Sequence, residues 1–325
     1  MRAALIETCG RPPRVAERPA PEPKAGERLV GVLAAPVTPL DLLCATGVSY
    51  FGTPGTPYIP GVQGVGTVGD GTLVWFPTSA GMVPRERGEA HGSMAELACV
   101  PAGDLVELPA GTDPVAVAAL GLSAVAAYMA LTWRGELAAG EQVVVLGAGG
   151  VVGQAAVQLA RVAGARRVVA AARSAGGRDR AARAGADAVV ALDTDDVAEL
   201  AARLSAACDG PADLVLDPLF GAPAAAAARA LRAGGRLVNL GGSAGETGPL
   251  DSSTLRSRSL RVLGYTNNEL TGEQRAAAVA EIAELSALGR LDVAHEIVPL
   301  DEVENAWHRQ STGTATGRLV LIPSP

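Results

Sequence analysis

Glu141-Gln-Val-Val-Val-Leu-Gly-Ala-Gly-Gly-Val-Val-Gly-Gln-Ala-Ala-Val-Gln-Leu-Ala160 is the stretch that decides the fold. Val143 to Leu146 is apolar and uncharged, the pattern of a parallel strand covered on both faces. Gly147-Ala148-Gly149-Gly150-Val151-Val152-Gly153 then turns the chain. Residues 154 to 163 read as a helix with Ala156, Leu159, Ala160 and Ala163 on one face. A helix N-terminus offers free N–H groups and a positive dipole end to a diphosphate, and Gly150 lets the phosphate approach the backbone.

Two spacings of the glycines are possible. Gly147-x-Gly149 breaks at Val152, whereas Ala148-x-Gly150-x-x-Gly153 keeps two glycines and puts Gly153 where helix packs on strand; the second is adopted. A second strand, Arg167 to Ala171, follows about twenty residues on, as a βαβ unit requires. The expectation is a dinucleotide site with Ala148, Gly149, Gly150, Val151, Val152 and Gly153 around the diphosphate; the alternative is a plain structural turn.

Further strands are expected at 187–191, 212–216, 235–240 and 259–264, with helices between them, including an Ala-rich one from Ala222 to Leu231. Strands linked by helical crossovers specify a doubly wound parallel sheet, so the class is α/β. Ligands bind such sheets at the carboxyl edge. Leu240 and Gly241, after the fifth strand, are therefore placed near the nicotinamide ribose, and Asn267, after the sixth, near substrate. The first hundred residues lack helical periodicity. Short β-like runs at Arg2 to Glu7, Arg28 to Ala34, Gly64 to Val68, Thr72 to Phe76 and Ala95 to Val100 suggest a small irregular barrel or sandwich. The tail reads as a helix at 273–288, a strand near 296–299, a helix at 301–310 and a strand at 317–322.

Bulk properties narrow the function. The chain has 325 residues, 48% hydrophobic and 19% charged, enough to bury a substantial core. A net charge of −7 argues against nucleic acid or an anionic membrane as partner and leaves a small-molecule substrate. Cys9, Cys44, Cys99 and Cys208 are scattered, with no Cys-x-x-Cys pair, and read as thiols of a reducing compartment. No export signal is visible, so a cytoplasmic protein is expected. Pro114 to Trp133 is uncharged and approaches a bilayer span in length, but its Ala, Gly and Ser content reads as a buried helix.

The cofactor is read from the end of the second strand. NAD-selective sites place a carboxylate there for the ribose 2′-OH. This chain has Ala172-Arg173-Ser174, with Arg178 soon after. Arg173, Ser174 and Arg178 suit the 2′-phosphate of NADPH through charge-assisted hydrogen bonds. In the alternative, Arg173, Arg178, Arg180 and Arg183 form a solvated helix face.

With these pieces in order, the chain resembles the medium-chain dehydrogenase/reductase superfamily, in its zinc-independent quinone oxidoreductase and enoyl reductase branch. The resemblance runs from Met1-Arg-Ala-Ala-Leu through Tyr58-Ile-Pro-Gly-Val-Gln-Gly-Val-Gly-Thr-Val, the 143–160 stretch, Gly185-Ala-Asp and Gly234-Gly-Arg-Leu-Val to Pro299-Leu-Asp-Glu-Val and Gly317-Arg-Leu-Val-Leu. It implies a GroES-like β-barrel domain from 1–120 and 266–325, a Rossmann domain with a six-stranded sheet at 121–265, and substrate between them. It also implies a homodimer through the last Rossmann strand. Zinc-dependent relatives have Gly-His-Glu where this chain has Gly61-Val62-Gln63, and their four-cysteine lobe is missing, so no metal is expected; Cys44 and His91 are the side chains left for a stray ion. Asn-Pro-x-Asp of the branch is Thr38-Pro39-Leu40-Asp41 here, and a Thr common before its Ala-Tyr pair is Ala126.

The resemblance implies hydride transfer to a quinone or an α,β-unsaturated carbonyl, free or carrier-bound. Tyr50 is the candidate proton donor, Thr38 and Asp41 border the nicotinamide or fix its loop, and His91 borders the substrate. Two rival readings stand beside it. One is an NADPH-binding protein without redox turnover, with a structural or sensor role; the other is a non-reductive cyclase.

Overall fold

The computed structural model describes residues 1–49, 51–82 and 91–323. They form two compact units, one of Met1–Gly121, Gly272–Leu288 and Val293–Pro325, the other of Leu122–Thr271 and Gly289–Asp292.

The first unit opens with β1 (Arg2–Leu5) and β2 (Arg14–Glu17), paired antiparallel. Strand β3 (Glu27–Pro36) follows, then helix α1 (Pro39–Thr46), β4 (Gln63–Thr67), β5 (Leu73–Pro77), β6 (Leu97–Pro101) and β7 (Val106–Glu107). Helix α1 corrects the expectation of a region without helices. At eight residues it is too short to show a period, and its start is written instead in a capping box. Thr38 caps, Pro39 fills the first position where its missing N–H costs nothing, and Gly47 at φ 78° ends the helix in the left-handed region.

Helix α2 (Pro114–Met129) carries the chain from the first unit to the second and breaks at Gly121, whose φ of 37° and ψ of −140° are not helical. A side chain would not fit there: a Cβ on Gly121 would lie 2.2 Å from Gln63 Oε1. A π-helical turn, Ala130–Arg134, completes the segment. Pro114–Arg134 is long and apolar enough to cross a membrane, but Val117, Ala118, Ala119, Leu120, Ala124, Val125 and Ala127 are buried within the protein.

The second unit alternates strand and helix as β8 (Gln142–Val145), α3 (Val151–Val162), β9 (Arg167–Ala172), α4 (Ala175–Arg183), β10 (Ala188–Ala191), α5 (Val197–Ala207), β11 (Ala212–Asp217), α6 (Gly221–Ala230), β12 (Leu231–Asn239), α7 (Ser252–Ser257) and β13 (Arg261–Gly264). All neighbouring strands are parallel, in the order β10-β9-β8-β11-β12-β13, which is the doubly wound arrangement. Residues of β8, β9 and β11 are buried on both faces, which explains their unbroken apolar runs. Helix α3 starts at Val151 rather than 154 because Gly150, extended at φ −82° and ψ 171°, is its N-cap. Strand β12 takes Leu231 from the Ala-rich helix.

The chain then returns through α8 (Gly272–Ala287), β14 (His295–Pro299), α9 (Val303–Thr312) and β15 (Arg318–Ile322). Strands β14 and β15 join the first unit's seven-stranded sheet in the order β14-β15-β3-β4-β5-β7, with β6 on β3. Its core gathers Ile6, Val30, Val74, Phe76, Met94, Trp307 and Leu319.

Candidate functional site

The turn between β8 and α3 is shaped by backbone contacts that admit no side chain. Gly147 has a φ of 61°, a conformation for which glycine is suited. A Cβ on Gly149 would stand 2.5 Å from Gly177 Cα, and one on Gly153 would stand 2.4 Å from Ala148 Cα. Both glycines of the spacing set aside above, Gly147 and Gly149, thus have structural reasons of their own. Gly150 differs. A Cβ there would meet only the Gly147 carbonyl, at 3.5 Å, so the space over Gly150 is open. No side chain caps α3, so the N–H groups of Val151, Val152 and Gly153 in its first turn are available to an anion. Ala148 N–H is already bonded to Ala171 O at 3.0 Å, which ties the turn to β9.

Two side chains brace this turn from behind. Gln154 Nε2 donates to Gly149 O at 3.1 Å and Arg180 Nε donates to the same carbonyl at 2.9 Å. Arg180 is therefore not part of a solvated face. Sequence reasoning missed this role, because nothing in the spacing of α4 shows which of its arginines turns inward.

At the end of β9, Arg173 is exposed and makes no ion pair among the described residues. Ser174 caps α4, its Oγ accepting from Gly177 N–H at 3.1 Å, and its own hydroxyl hydrogen remains a donor. Arg178 Nη1 donates to Arg173 O at 2.7 Å. Arg173, Ser174 and Arg178 are thus gathered at one strand end, without a carboxylate in the Ala172-Arg173-Ser174 turn.

On the other side of β8, Asp217 ends β11 fully buried. Burial pushes its carboxyl above the usual range, against the pull of hydrogen bonds from Phe220 N–H, Asn239 and Leu219 N–H. Leu240 N–H donates to Asp217 O at 2.9 Å, and a Cβ on Gly241 would stand 2.9 Å from Pro218 O. Leu240 and Gly241 therefore lie at the carboxyl edge beside the β11 turn. Asn267 is committed within its own unit. Its Oδ1 accepts from Tyr265 Oη at 2.7 Å and its Nδ2 donates to Leu122 O at 3.0 Å, so it clamps the loop after β13 to α2 just past the Gly121 break. These contacts use one of the amide's two N–H donors and one of its oxygen's two lone pairs.

In the first unit, Thr38 and Asp41 come together at the start of α1. Thr38 Oγ1 donates to Asp41 Oδ2 at 2.6 Å and accepts from Asp41 N–H at 3.2 Å, while Thr38 N–H donates to Asp41 Oδ2 at 2.9 Å. Asp41 Oδ1 accepts from Gly61 N–H at 3.0 Å and Val62 N–H at 2.9 Å. The carboxylate thus stitches α1 to the Gly61-Val62-Gln63 segment. Burial pushes the Asp41 carboxyl up, and the Thr38, Val62 and Gly61 hydrogen bonds pull it back. Arg318 is buried nearby with Nη1 on Val37 O at 2.9 Å; burial draws its guanidinium down to about 10, opposed by the Asp41 charge. The polar atoms of Thr38 and Asp41 serve the cap and the Gly61–Val62 backbone in these contacts, which fixes the loop at the start of α1.

Val62 is buried, and Gln63 Oε1 accepts from Trp75 Nε1 at 3.1 Å. Cys44 sits inside α1, its thiol pushed up to about 12 by burial and by Asp41. His91 is exposed and bridges to Ile59. Tyr50 lies outside the described residues.

A six-stranded doubly wound sheet with a glycine turn and an uncapped helix at the carboxyl edge of its central strand defines a dinucleotide-binding protein. Residues 151–284 match the zinc-binding dehydrogenase family. The chain is 32% identical to the quinone oxidoreductase of Thermus thermophilus, whose structures include a complex with NADPH; the alignment covers 99% of this chain and 100% of that one, with a TM-score of 0.79. It is 27% identical to an alcohol dehydrogenase of Geobacillus stearothermophilus over 99% of both chains. It is 38% identical to a zinc-type alcohol dehydrogenase-like protein of Schizosaccharomyces pombe, over 44% of this chain and 43% of that protein. The chain belongs to the medium-chain dehydrogenase/reductase superfamily, with its GroES-like and Rossmann folds. It is an oxidoreductase of that superfamily, and the β8–α3 turn fits the diphosphate of a nicotinamide dinucleotide.

Proposed function

We propose that this chain is a zinc-independent, NADPH-dependent reductase of a quinone or an α,β-unsaturated carbonyl compound. The observation that carries the metal-free reading is Val62. A buried isopropyl group, followed by the amide of Gln63, occupies the segment in which the zinc-dependent relatives carry Gly-His-Glu. Catalytic zinc takes three protein ligands as a rule. Among the described residues no three His, Cys, Asp or Glu side chains come together.

The cofactor supplies a hydride from C4 of its reduced nicotinamide. The residues of the chain bind, orient and protonate. The first turn of α3 holds the diphosphate, and Arg173, Ser174 and Arg178 hold the 2′-phosphate, with Arg173 free to lie on adenine. The backbone at Leu240 and Gly241 borders the nicotinamide ribose. A conjugated acceptor turns into an enolate or hydroquinone anion that hydrogen-bond donors stabilise without a metal. Tyr50 is the proposed proton donor and His91 a proposed substrate neighbour. Strand β13 is at the edge of the sheet with Val262 42% exposed, and a homodimer through it is part of this proposal.

The test is steady-state oxidation of NADPH and NADH with a panel of quinones and enones, before and after chelator dialysis. Turnover of at least one acceptor is expected, unchanged by the chelator and favouring NADPH by roughly tenfold or more. Activity lost with the chelator and restored by zinc would overturn the metal-free reading. One observation favours a second reading: Thr38 commits its hydroxyl to Asp41, which leaves it no hydrogen to donate to a substrate. Tight NADPH binding with no turnover on any acceptor would support a dinucleotide-binding protein without redox turnover.

A further inference from the structure

The carboxyl edge of the sheet contains a polar pair, buried Asp217 and half-buried Asn239, to which none of the roles above is assigned. Asp217 ends β11 and Asn239 ends β12. Asp217 Oδ1 accepts from Leu219 N–H and Phe220 N–H, each at 2.9 Å, and Oδ2 accepts from Asn239 Nδ2 at 2.9 Å. The same amide reaches Asp217 O at 3.2 Å and Gly241 O at 2.8 Å. One carboxylate and one amide therefore join the ends of two strands to the loops that leave them.

The β11 turn held this way is not relaxed. Phe220 has φ 57° and ψ −154°, a region occupied almost only by glycine, and a side-chain-bearing residue stays there only when its surroundings enforce it. The two N–H bonds to Asp217 supply that enforcement. The turn in turn shapes its neighbours. A Cβ on Gly147 would lie 3.0 Å from Leu219 Cδ2 and 3.1 Å from Pro218 Cγ, so these two side chains close over the first glycine of the β8–α3 turn. On the other side, Ser243 Oγ donates to Pro218 O at 3.1 Å and Ala244 N–H to Leu219 O at 2.8 Å, which seats the loop after β12.

Strand order says which part of a ligand this hub serves. Strand β8 lies between β9 and β11, so a dinucleotide whose diphosphate crosses the β8 turn places one nucleoside over β9 and the other over β11 and β12. Arg173, Ser174 and Arg178 mark β9 as the adenosine side. We infer that Asp217 and Asn239 are positioning residues for the nicotinamide half of the cofactor, acting through the 218–221 turn and the 240–244 loop. This role rests on the cofactor reading proposed above. Both acceptor atoms of position 217 are needed, because an amide there turns its NH2 toward the NH2 of Asn239, donor against donor.

The experiment is a fluorescence titration of the full chain with NADPH and, separately, with 2′,5′-ADP, which carries only the adenosine side. Asp217→Asn and Asn239→Ala are compared with the unaltered protein. Each variant is expected to lose roughly tenfold or more in NADPH affinity while 2′,5′-ADP binds within about twofold of the unaltered chain. A merely structural role would weaken both ligands together. Equal loss for the two ligands, or unchanged NADPH affinity in both variants, would overturn the assignment. Asn239→Ala answers the question by itself where Asp217→Asn does not fold. Unaltered protein that binds neither ligand would overturn the cofactor reading, and this role with it.

Discussion

Helix α1 begins with Thr38 and Asp41 closed over its first turn, whereas α3 begins at Gly150 with no side chain over it at all. Both ends present unpaired N–H groups and a positive dipole end. In α1 the chain satisfies them itself and then uses the same carboxylate to reach Gly61 and Val62. In α3 the flanking glycines are pressed against backbone while Gly150 faces open space. A helix end sealed by its own side chains is architecture. One kept bare inside a tightly packed turn is reserved for a ligand.

The largest effect expected from that contrast is at Asp41. Asp41→Ala removes the acceptor for Thr38 N–H, Thr38 Oγ1, Gly61 N–H and Val62 N–H and takes the opposing charge from buried Arg318. Stranding buried donors and a buried cation costs about 3–5 kcal/mol, to be read as a drop in unfolding free energy from urea denaturation. A loss below about 1 kcal/mol would break the comparison, because the α1 closure would then not be holding the unit together.

The two glycines of α3 sharpen the contrast from the other side. Gly153→Ala forces a methyl against Ala148 Cα and the Gly147 carbonyl, at 2.4 Å and 2.5 Å before relaxation. Destabilisation of about 1–3 kcal/mol and loss of NADPH binding are expected together. Gly150→Ala meets no backbone closer than 3.5 Å, so its stability should stay within about 0.5 kcal/mol of the unaltered chain. Its NADPH affinity should nonetheless fall roughly tenfold, since the methyl occupies the space of the diphosphate. Unchanged affinity in Gly150→Ala would show that no ligand lies over that turn.

The same contrast explains what the sequence disclosed. The Rossmann half is legible because β8, β9 and β11 are buried on both faces and must be written in uninterrupted apolar residues, punctuated by glycines that only a tight turn needs. Helix α1 is not legible by period, and Thr38 and Asp41 stand out in the sequence without showing that they form its capping box, because the same residue types serve caps and sites. Asn267 has a second role that the sequence does not show: its amide ties Tyr265 to Leu122, a contact that only the fold brings about. Asp217 shows as an acid at the end of a strand, and its importance depends on Asn239 from the neighbouring strand, a pairing that only the sheet order brings about. Arg180 is hidden among four similar arginines, and only the fold turns it toward Gly149.

A third helix start supplies the smallest and most selective test. Helix α7 is capped by Asp251, whose Oδ1 accepts from Thr254 N–H at 2.7 Å and Ser253 Oγ at 2.5 Å, and whose Oδ2 accepts from Thr254 Oγ1 at 2.9 Å. The Ser253 hydroxyl, then the Thr254 N–H and hydroxyl, hold this carboxyl well below the usual range. Its folded-state affinity for a proton is therefore lower than that of the unfolded chain. The stability it contributes is complete above the unfolded value near 3.9 and declines as pH falls through the folded one. Asp251→Asn cannot titrate, so the gap between it and the unaltered protein in urea midpoints should be full at about pH 6 and narrow only as pH falls below roughly 5 toward about pH 3. A gap that holds constant over that range would mean the charge on Asp251 does not support the cap, and that α7, like α3, starts without help from an ionised side chain.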